Sequence, residues 1–235
     1  MLASDGETME RTIIIGDVHG CLDELRQLLT VCGWRPGERC VLAGDLVAKG
    51  PNSAGVLQLA HEIGAGGVLG NHDDHVLRVR RVRLGLAAPP ARGLRREHEE
   101  VADRLHAREW AYLESLPLYL RLGPEAVGGS GTVVVHAGAV PGIPLEAQSR
   151  DNLITMRSVR ADGTPSKKIE ERPWASVWVG PERIVFGHDA VRGLQQYPFA
   201  TGLDTGCVYG HRLTALALPE RRLFSVGARR AYAEL

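Results

Sequence analysis

The chain has 235 residues, 44% of them hydrophobic, and its 28 lysines and arginines balance 28 aspartates and glutamates. That length and apolar content allow a substantial core within one domain. A formal net charge of zero excludes a global field drawing the chain to nucleic acid or anionic membrane, so recognition of an anionic ligand has to be local.

The first eleven residues, MLASDGETMER, are polar and read as a flexible N-terminus, neither signal peptide nor anchor. No apolar run approaches bilayer-spanning length. Cys21, Cys32, Cys40 and Cys207 show no CxxC spacing and read as small buried hydrophobes in a reducing, cytoplasmic compartment.

The stretch Ile13 to Gly20, IIIGDVHG, is a β-branched strand that stops at Gly16 and delivers Asp17 and His19 into a loop. Leu22, Leu25, Leu28 and Leu29 then recur at helical spacing up to Gly33. RCVLAG (39–44) reads as a second strand ending at Asp45. A second helix starts at Ser53, its expected N-cap, with Val56, Leu57, Leu59 and Ala60 as its apolar positions. GGVLG (66–70) is a third strand, ending at Asn71 and His72. This βαβαβ alternation predicts a parallel sheet core, with any site just beyond the carboxyl ends of its strands.

From Asp74 to Glu114 the chain turns helical and charged, interrupted by Pro89 and Pro90. Arg78, Arg80, Arg81 and Arg83 read as a solvated helix face, and His98 and His106 as solvated too. His61 and His75 sit in helical stretches and are not expected to be ligands. LYLRL (118–122) and TVVVHAG (132–138) read as strands flanking a Gly-rich turn, the second delivering His136. The segment 158–173 carries Gly, Pro and Lys without apolar periodicity and is the expected mobile loop. RIVFGHDA (183–190) ends another strand in His188, and RLTALAL with RRLFSV predicts a terminal antiparallel pair.

Asp17, His19, Asp45, Asn71, His72, His136 and His188 thus all stand at strand ends. Carboxylate, imidazole and amide donors without thiolate suit Mn²⁺, Fe or Zn²⁺. Two such ions about 3.5–4 Å apart form the clamp used for in-line displacement at phosphorus.

GDVHG, GDLVAKGP (44–51), GNHD (70–73), VVHAG (134–138) and FGHDA (186–190), in this order, resemble the metallophosphoesterase (calcineurin-like) superfamily and its phosphoprotein-phosphatase-like group. Asp17 and Asp45 are 28 residues apart and Asp45 and Asn71 are 26, one strand-helix-strand step each. GNHDDHVL, the TMR of 155–157 and LDTGCVYGHRLTAL (203–216) are similar to its diadenosine tetraphosphatase branch, the ApaH type and ApaH-like phosphatases.

The resemblance implies an α/β fold of two mixed sheets between helices (α/β/β/α), spanning 12–235 as a single domain. It implies that Asp17 and His19 bind one divalent metal ion, that Asn71, His136 and His188 bind a second, and that Asp45 bridges them. Manganese is the first choice, with Co²⁺, Fe or Zn²⁺ as alternatives. A metal-bridged hydroxide then attacks phosphorus while His72 acts as general acid. Lys49 stands where many relatives have a phosphate-binding Arg, and Arg157 is the other candidate phosphate clamp.

The implied activity is hydrolysis of a phosphoanhydride in a dinucleoside polyphosphate, first of all diadenosine tetraphosphate to two ADP. The alternatives are a serine/threonine protein phosphatase or general phosphomonoesterase acting on a phosphoprotein or small ester, and a non-catalytic nucleotide-binding module. Nucleic acid is not an expected partner except as a capped RNA end, and a membrane is not expected.

Three positions depart from the pattern. Ala48 stands where protein serine/threonine phosphatases have an Asp that orients the acid histidine, which leaves Asp73 or Asp74 as candidate orienters and favours a weakly basic leaving group. The stretch between His136 and Arg157 is short for a bacterial symmetric enzyme, and His211 replaces a usual Gly. Asp204 reads equally as a turn residue or a substrate contact, and Tyr209 or Phe199 as rim residues or adenine-stacking rings.

Overall fold

The computed structural model describes residues 11–123 and 131–235. The expected flexible N-terminus, apart from Arg11, and most of the Gly-rich turn before residue 132 lie outside the described residues. Arg11 is held at the edge of the fold by Glu38 and Glu220, each at 3.2 Å.

The chain forms β1 (Thr12–Ile15), α1 (Leu22–Val31), β2 (Arg39–Leu42), α2 (Ser53–Glu62) and β3 (Gly66–Gly67). The charged region follows as α3 (Asn71–Arg83), α4 (Arg96–Ala102) and α5 (Ala107–Ser115). Next come β4 (Tyr119–Leu122), β5 (Thr132–Val135), α6 (Arg150–Thr155), β6 (Ser158–Val159) and β7 (Pro165–Ser166). The chain closes with β8 (Arg183–Phe186), β9 (Gln195–Gln196), β10 (Ala200–Gly202), β11 (Arg212–Leu218) and β12 (Arg222–Gly227).

Two five-stranded sheets result, in the orders β12-β11-β1-β2-β3 and β4-β5-β8-β10-β9. The predicted parallel run β1-β2-β3 is present, but β11 joins β1 antiparallel and makes the sheet mixed. β1 is therefore bonded on both edges, which explains why all four of its residues are buried and why it reads as an unbroken β-branched run.

Successive side chains of a strand point to opposite faces, and the three core clusters follow that alternation. Ile13, Ile15, Leu213, Ala215 and Ala217 pack with Leu25 and Leu28 of α1 and Val56 and Leu57 of α2. Ile14, Val41, Leu216 and Leu218 turn the other way and meet Val134 and Val185 of the second sheet. The far face of that sheet, Val133, Val135, Ile184 and Phe186, is covered by Leu153 and Ile154 of α6 and by Trp174 and Trp178. The layers are α/β/β/α, as the resemblance implied.

Four expectations are corrected. Asn52, not Ser53, caps α2: its side chain accepts the Gly55 N–H at 2.8 Å, while Ser53 Oγ accepts the Ala48 N–H at 3.0 Å. The third strand is only two residues long; Val68 N–H makes its last bond to β2, at Leu42 O, and Leu69 N–H on the opposite edge donates to Pro117 O. The 158–173 segment is no open loop, since β6 and β7 pair as an antiparallel hairpin. Arg192 staples that hairpin down, donating to Ser158 Oγ at 3.0 Å and Glu170 O at 2.7 Å. His98 is 2% exposed rather than solvated, because α4 lays it against α3.

Ile14 is fully buried between the two sheets, where a truncated side chain leaves a cavity that neither sheet can close. Ile14→Ala is expected to cost about 3 kcal/mol of folding stability, read as a lowered urea midpoint with an unchanged slope.

Candidate metal centre

The strand-end residues converge. Asp17 follows β1, Asp45 follows β2, Asn71 opens α3, His136 follows β5 and His188 follows β8. The carboxyl ends of parallel strands from both sheets thereby face one cleft.

Asp45 lies at the middle. Its Oδ1 accepts the backbone N–H of His72 at 2.8 Å. Its Oδ2 is 3.5 Å from His19 Nε2 and 3.5 Å from His136 Nε2. Donor atoms of Asp17, His19 and Asp45 lie within 4.8 Å of one another, and so do those of Asp45, His136 and His188. The two groups share Asp45. Asn71 Oδ1 adds a further oxygen, 3.1 Å from His136 Nε2.

The backbone selects each imidazole's free nitrogen. His19 Nδ1 is 3.1 Å from Val47 O and His136 Nδ1 is 2.9 Å from Ala43 O. A ring nitrogen facing a carbonyl has to donate, so both rings present an unprotonated Nε2 to the centre. In His188 the roles reverse: Nε2 faces Thr155 O at 3.1 Å, leaving Nδ1. Asp17 is fixed by the His188 N–H, at 3.0 and 3.2 Å from its two oxygens.

These positions carry backbone strain. His19, Asp45 and His188 have φ values of 45°, 49° and 68°, and Ala48 and Lys49 follow at 70° and 63°. Left-handed conformations in non-glycine residues each cost on the order of 1–3 kcal/mol and gather where geometry is over-determined.

Among its lining residues the cleft sets three carboxylates, Asp17, Asp45 and Asp204, against two cations, Lys49 and Arg157. Burial, then Asp204 and Asp45, push the Asp17 carboxyl well above the usual range. Burial likewise raises Asp45 to about 6 and Asp204 to about 6. Burial drives His19 and His188 well down and His136 to about 4, so these rings are neutral donors. Buried carboxylates beside neutral imidazoles form a donor set that fits divalent cations; the His188 N–H and Lys49 partly relieve Asp17, and Lys49, the His72 N–H and Arg157 partly relieve Asp45.

Lys49 and Arg157 line the same cleft, with His72, Asp204 and Tyr209. Lys49 Nζ donates to Tyr209 Oη at 2.7 Å and lies 3.4 Å from His19 Nε2. Arg157 is steadied by Lys167 O and His188 O, both at 3.2 Å.

The candidate orienters of His72 are both engaged elsewhere. Asp73 accepts the N–H groups of Leu46, Val47 and Gly70, and Asp74 pairs with Arg150 at 2.6 Å. His98 stands there instead, its Nε2 3.0 Å from His72 Nδ1. Sequence reasoning missed it, because a histidine in a charged run gives no sign of its depth.

Asp204 forms a turn, accepting the Gly206 N–H at 3.0 Å, and also lines the cleft. Tyr209 is at the cleft, whereas Phe199 packs on the rim of the second core. Arg78, Arg81 and Arg83 are exposed, as expected of a solvated face; Arg80 is half-buried over Trp110 and paired with Glu114 at 3.1 Å. His61 and His75 are exposed.

A solved structure described as a "putative diadenosine tetraphosphatase" is 38% identical, with a TM-score of 0.81 over 94% of this chain and 95% of that one. A symmetrical bis(5'-nucleosyl)-tetraphosphatase of Aromatoleum aromaticum is 30% identical over 279 aligned residues, covering 91% of this chain and 96% of the relative. An asymmetrical enzyme of that name, PrpE of Halalkalibacterium halodurans, is 30% identical over 235 residues, covering 92% and 93%. The calcineurin-like phosphoesterase family model matches residues 10–215. Two donor groups joined by one buried aspartate, on the shared edge of two mixed sheets, are thus carried by a chain that belongs to the calcineurin-like phosphoesterase family.

Proposed function

We propose that this chain hydrolyses a phosphoanhydride of a dinucleoside polyphosphate, with diadenosine tetraphosphate the first substrate to test. The observation that carries the reading is the pair of donor groups meeting at Asp45, in a chain whose relatives bear the name bis(5'-nucleosyl)-tetraphosphatase. Asp17 and His19 would hold one divalent ion, Asn71, His136 and His188 the other, and Asp45 both. Manganese is the first choice of metal and the cytoplasm the expected compartment. Two such cations supply Lewis acidity at the phosphoryl oxygens and a nucleophilic oxygen from water near neutral pH.

The chain's own residues do the remainder. Lys49 and Arg157 face the substrate's non-bridging oxygens across the cleft, with the Tyr209 hydroxyl and the His188 carbonyl holding them in place. Both stabilise the negative charge that develops on the substrate's oxygens as the bond to phosphorus breaks. His72 protonates the leaving oxygen.

Leaving-group chemistry favours an anhydride over a serine ester. His72 has a neutral ring beside it where a carboxylate would favour the imidazolium more strongly. A nucleoside polyphosphate leaves as a weakly basic oxyanion and needs less protonation than an alkoxide.

The position of cleavage has two readings. Cleavage to two ADP is the first. Asymmetric cleavage to ATP and AMP is favoured by length, since alignment to the asymmetrical relative runs over 235 residues and to the symmetrical one over 279.

Three measurements test these roles. Mn²⁺-loaded protein given diadenosine tetraphosphate should release ADP alone under the first reading, and ATP with AMP under the second. Free phosphate from a phosphoserine peptide, with the dinucleotide intact, would refute both. A Cβ on Gly187 would lie 1.9 Å from Asp17 Oδ1, so Gly187→Ala should displace that carboxylate. Its bound metal, counted by atomic absorption, should fall from two ions toward one and its kcat by about 10²-fold. Arg157→Ala should lower kcat/KM for the tetraphosphate by about 10²-fold with metal content unchanged; wild-type efficiency would remove Arg157 from the site.

A further inference from the structure

We infer that His98 is the positioning residue for His72, a role that rests on the reading of His72 as the proton donor. His98 lies at the end of no motif, and α4 carries it into the fold to 2% exposure. Its Nε2 is 3.0 Å from His72 Nδ1, a hydrogen-bond distance between two buried rings. Glu97 Oε1 is 3.6 Å from the same Nε2, and the ring of His75 lies tilted against His98 with centroids 5.0 Å apart.

The consequence for His72 is one of geometry. With Nδ1 committed to His98, the other nitrogen, Nε2, is left for the cleft that His72 lines. The ring's turn is fixed at its base as well, because the His72 N–H donates to Asp45 Oδ1 at 2.8 Å. His98 holds its own proton on Nδ1 and accepts the His72 Nδ1–H through Nε2. When the bond between phosphorus and the leaving oxygen breaks, its electron pair goes to that oxygen, which takes the proton from His72 Nε2. The Nδ1 proton of His72 stays on the ring throughout, shared with His98. Glu97 contributes a negative charge one ring removed from His72 and stabilises the protonated pair.

Ala48 has no side chain able to take this part, Asp73 is spent on three backbone N–H groups and Asp74 is paired with Arg150. A neutral imidazole is a weaker acceptor for a charged donor than a carboxylate. His98 therefore orients His72 more than it strengthens it.

The test compares two esters that differ in leaving group alone, phenyl phosphate and 4-nitrophenyl phosphate, on metal-loaded wild type, His98→Ala and His98→Gln. A proton donor matters to phenoxide and little to the stabilised nitrophenoxide. His98→Ala should lower kcat on phenyl phosphate by roughly tenfold or more while changing 4-nitrophenyl phosphate by less than about threefold, with KM held. Gln places an amide oxygen near the position of Nε2 and should restore most of the loss. In a His72→Ala background His98→Ala should have no further effect. Imidazole nitrogen NMR of the Mg²⁺-loaded protein should show His72 with a fixed Nδ1 proton in wild type and tautomer averaging in His98→Ala.

Equal losses on both esters, a loss that persists without His72, or an unaltered His72 tautomer would overturn the inference. The expected pattern on esters in a protein that leaves diadenosine tetraphosphate intact would overturn the proposed substrate and keep the role of His98. A loaded wild type that hydrolyses nothing would overturn both.

Discussion

Asp45 accepts a hydrogen bond from the first turn of α3 while lying 3.5 Å from imidazoles delivered by strands of both sheets. That contact depends on where β1, β2 and β5 end, so any change in strand register or sheet packing moves it. The backbone carbonyl of Asp45 receives the N–H groups of Val18 and His19 at 3.2 and 2.8 Å, which locks the first two strand ends together before any side chain is considered. Much of the molecule can be understood as scaffolding for this one carboxylate.

The cost of the arrangement is visible in two places. Carboxylates brought together out of water resist ionisation, as Asp17, Asp45 and Asp204 show, and nearby imidazoles cannot help because burial keeps them neutral. The backbone is also bent into left-handed conformations at His19, Asp45, Ala48, Lys49 and His188. The remainder of the fold offsets both, through a three-part core in which β1 contributes Ile13 and Ile15 to one side and Ile14 to the other. Divalent cations would relieve the first cost directly, so metal loading and stability are coupled in a chain of this kind.

Around this centre, positioning is done by polar contacts with little redundancy. Arg192 ties the β6-β7 hairpin to the second sheet and also donates to the Arg157 carbonyl at 3.3 Å. Asp73, buried one residue after His72, spends its oxygens on three backbone N–H groups and thereby braces the Leu46-Val47 turn against the start of α3. The arrangement leaves His72 to find its partner in another helix.

Local sequence determined the strands and their ends, because apolar, largely β-branched runs that stop at a polar residue are short-range signals: IIIGD, VLAGD, VVVH and IVFGH each end at a residue of the centre. It also determined the antiparallel closing pair, the parallel β1-β2-β3 run and the helices between them, although the third strand stops three residues short of the run 66–70 and Asn52 rather than Ser53 caps α2. It did not determine the hairpin at 158–166, whose strands have two residues each and no alternation to read. Nor did it determine that β11 makes the first sheet mixed, since pairing partners some 200 residues apart leave no local trace. The depth of His98 belongs to the same class: a histidine among arginines and glutamates reads as solvated until α4 is laid across α3. Which residues have metal-binding chemistry was therefore legible from residue type and strand ends, whereas which nitrogen each imidazole presents, and what stands behind His72, was decided by carbonyls and side chains that only the packing of one element on another brings within reach.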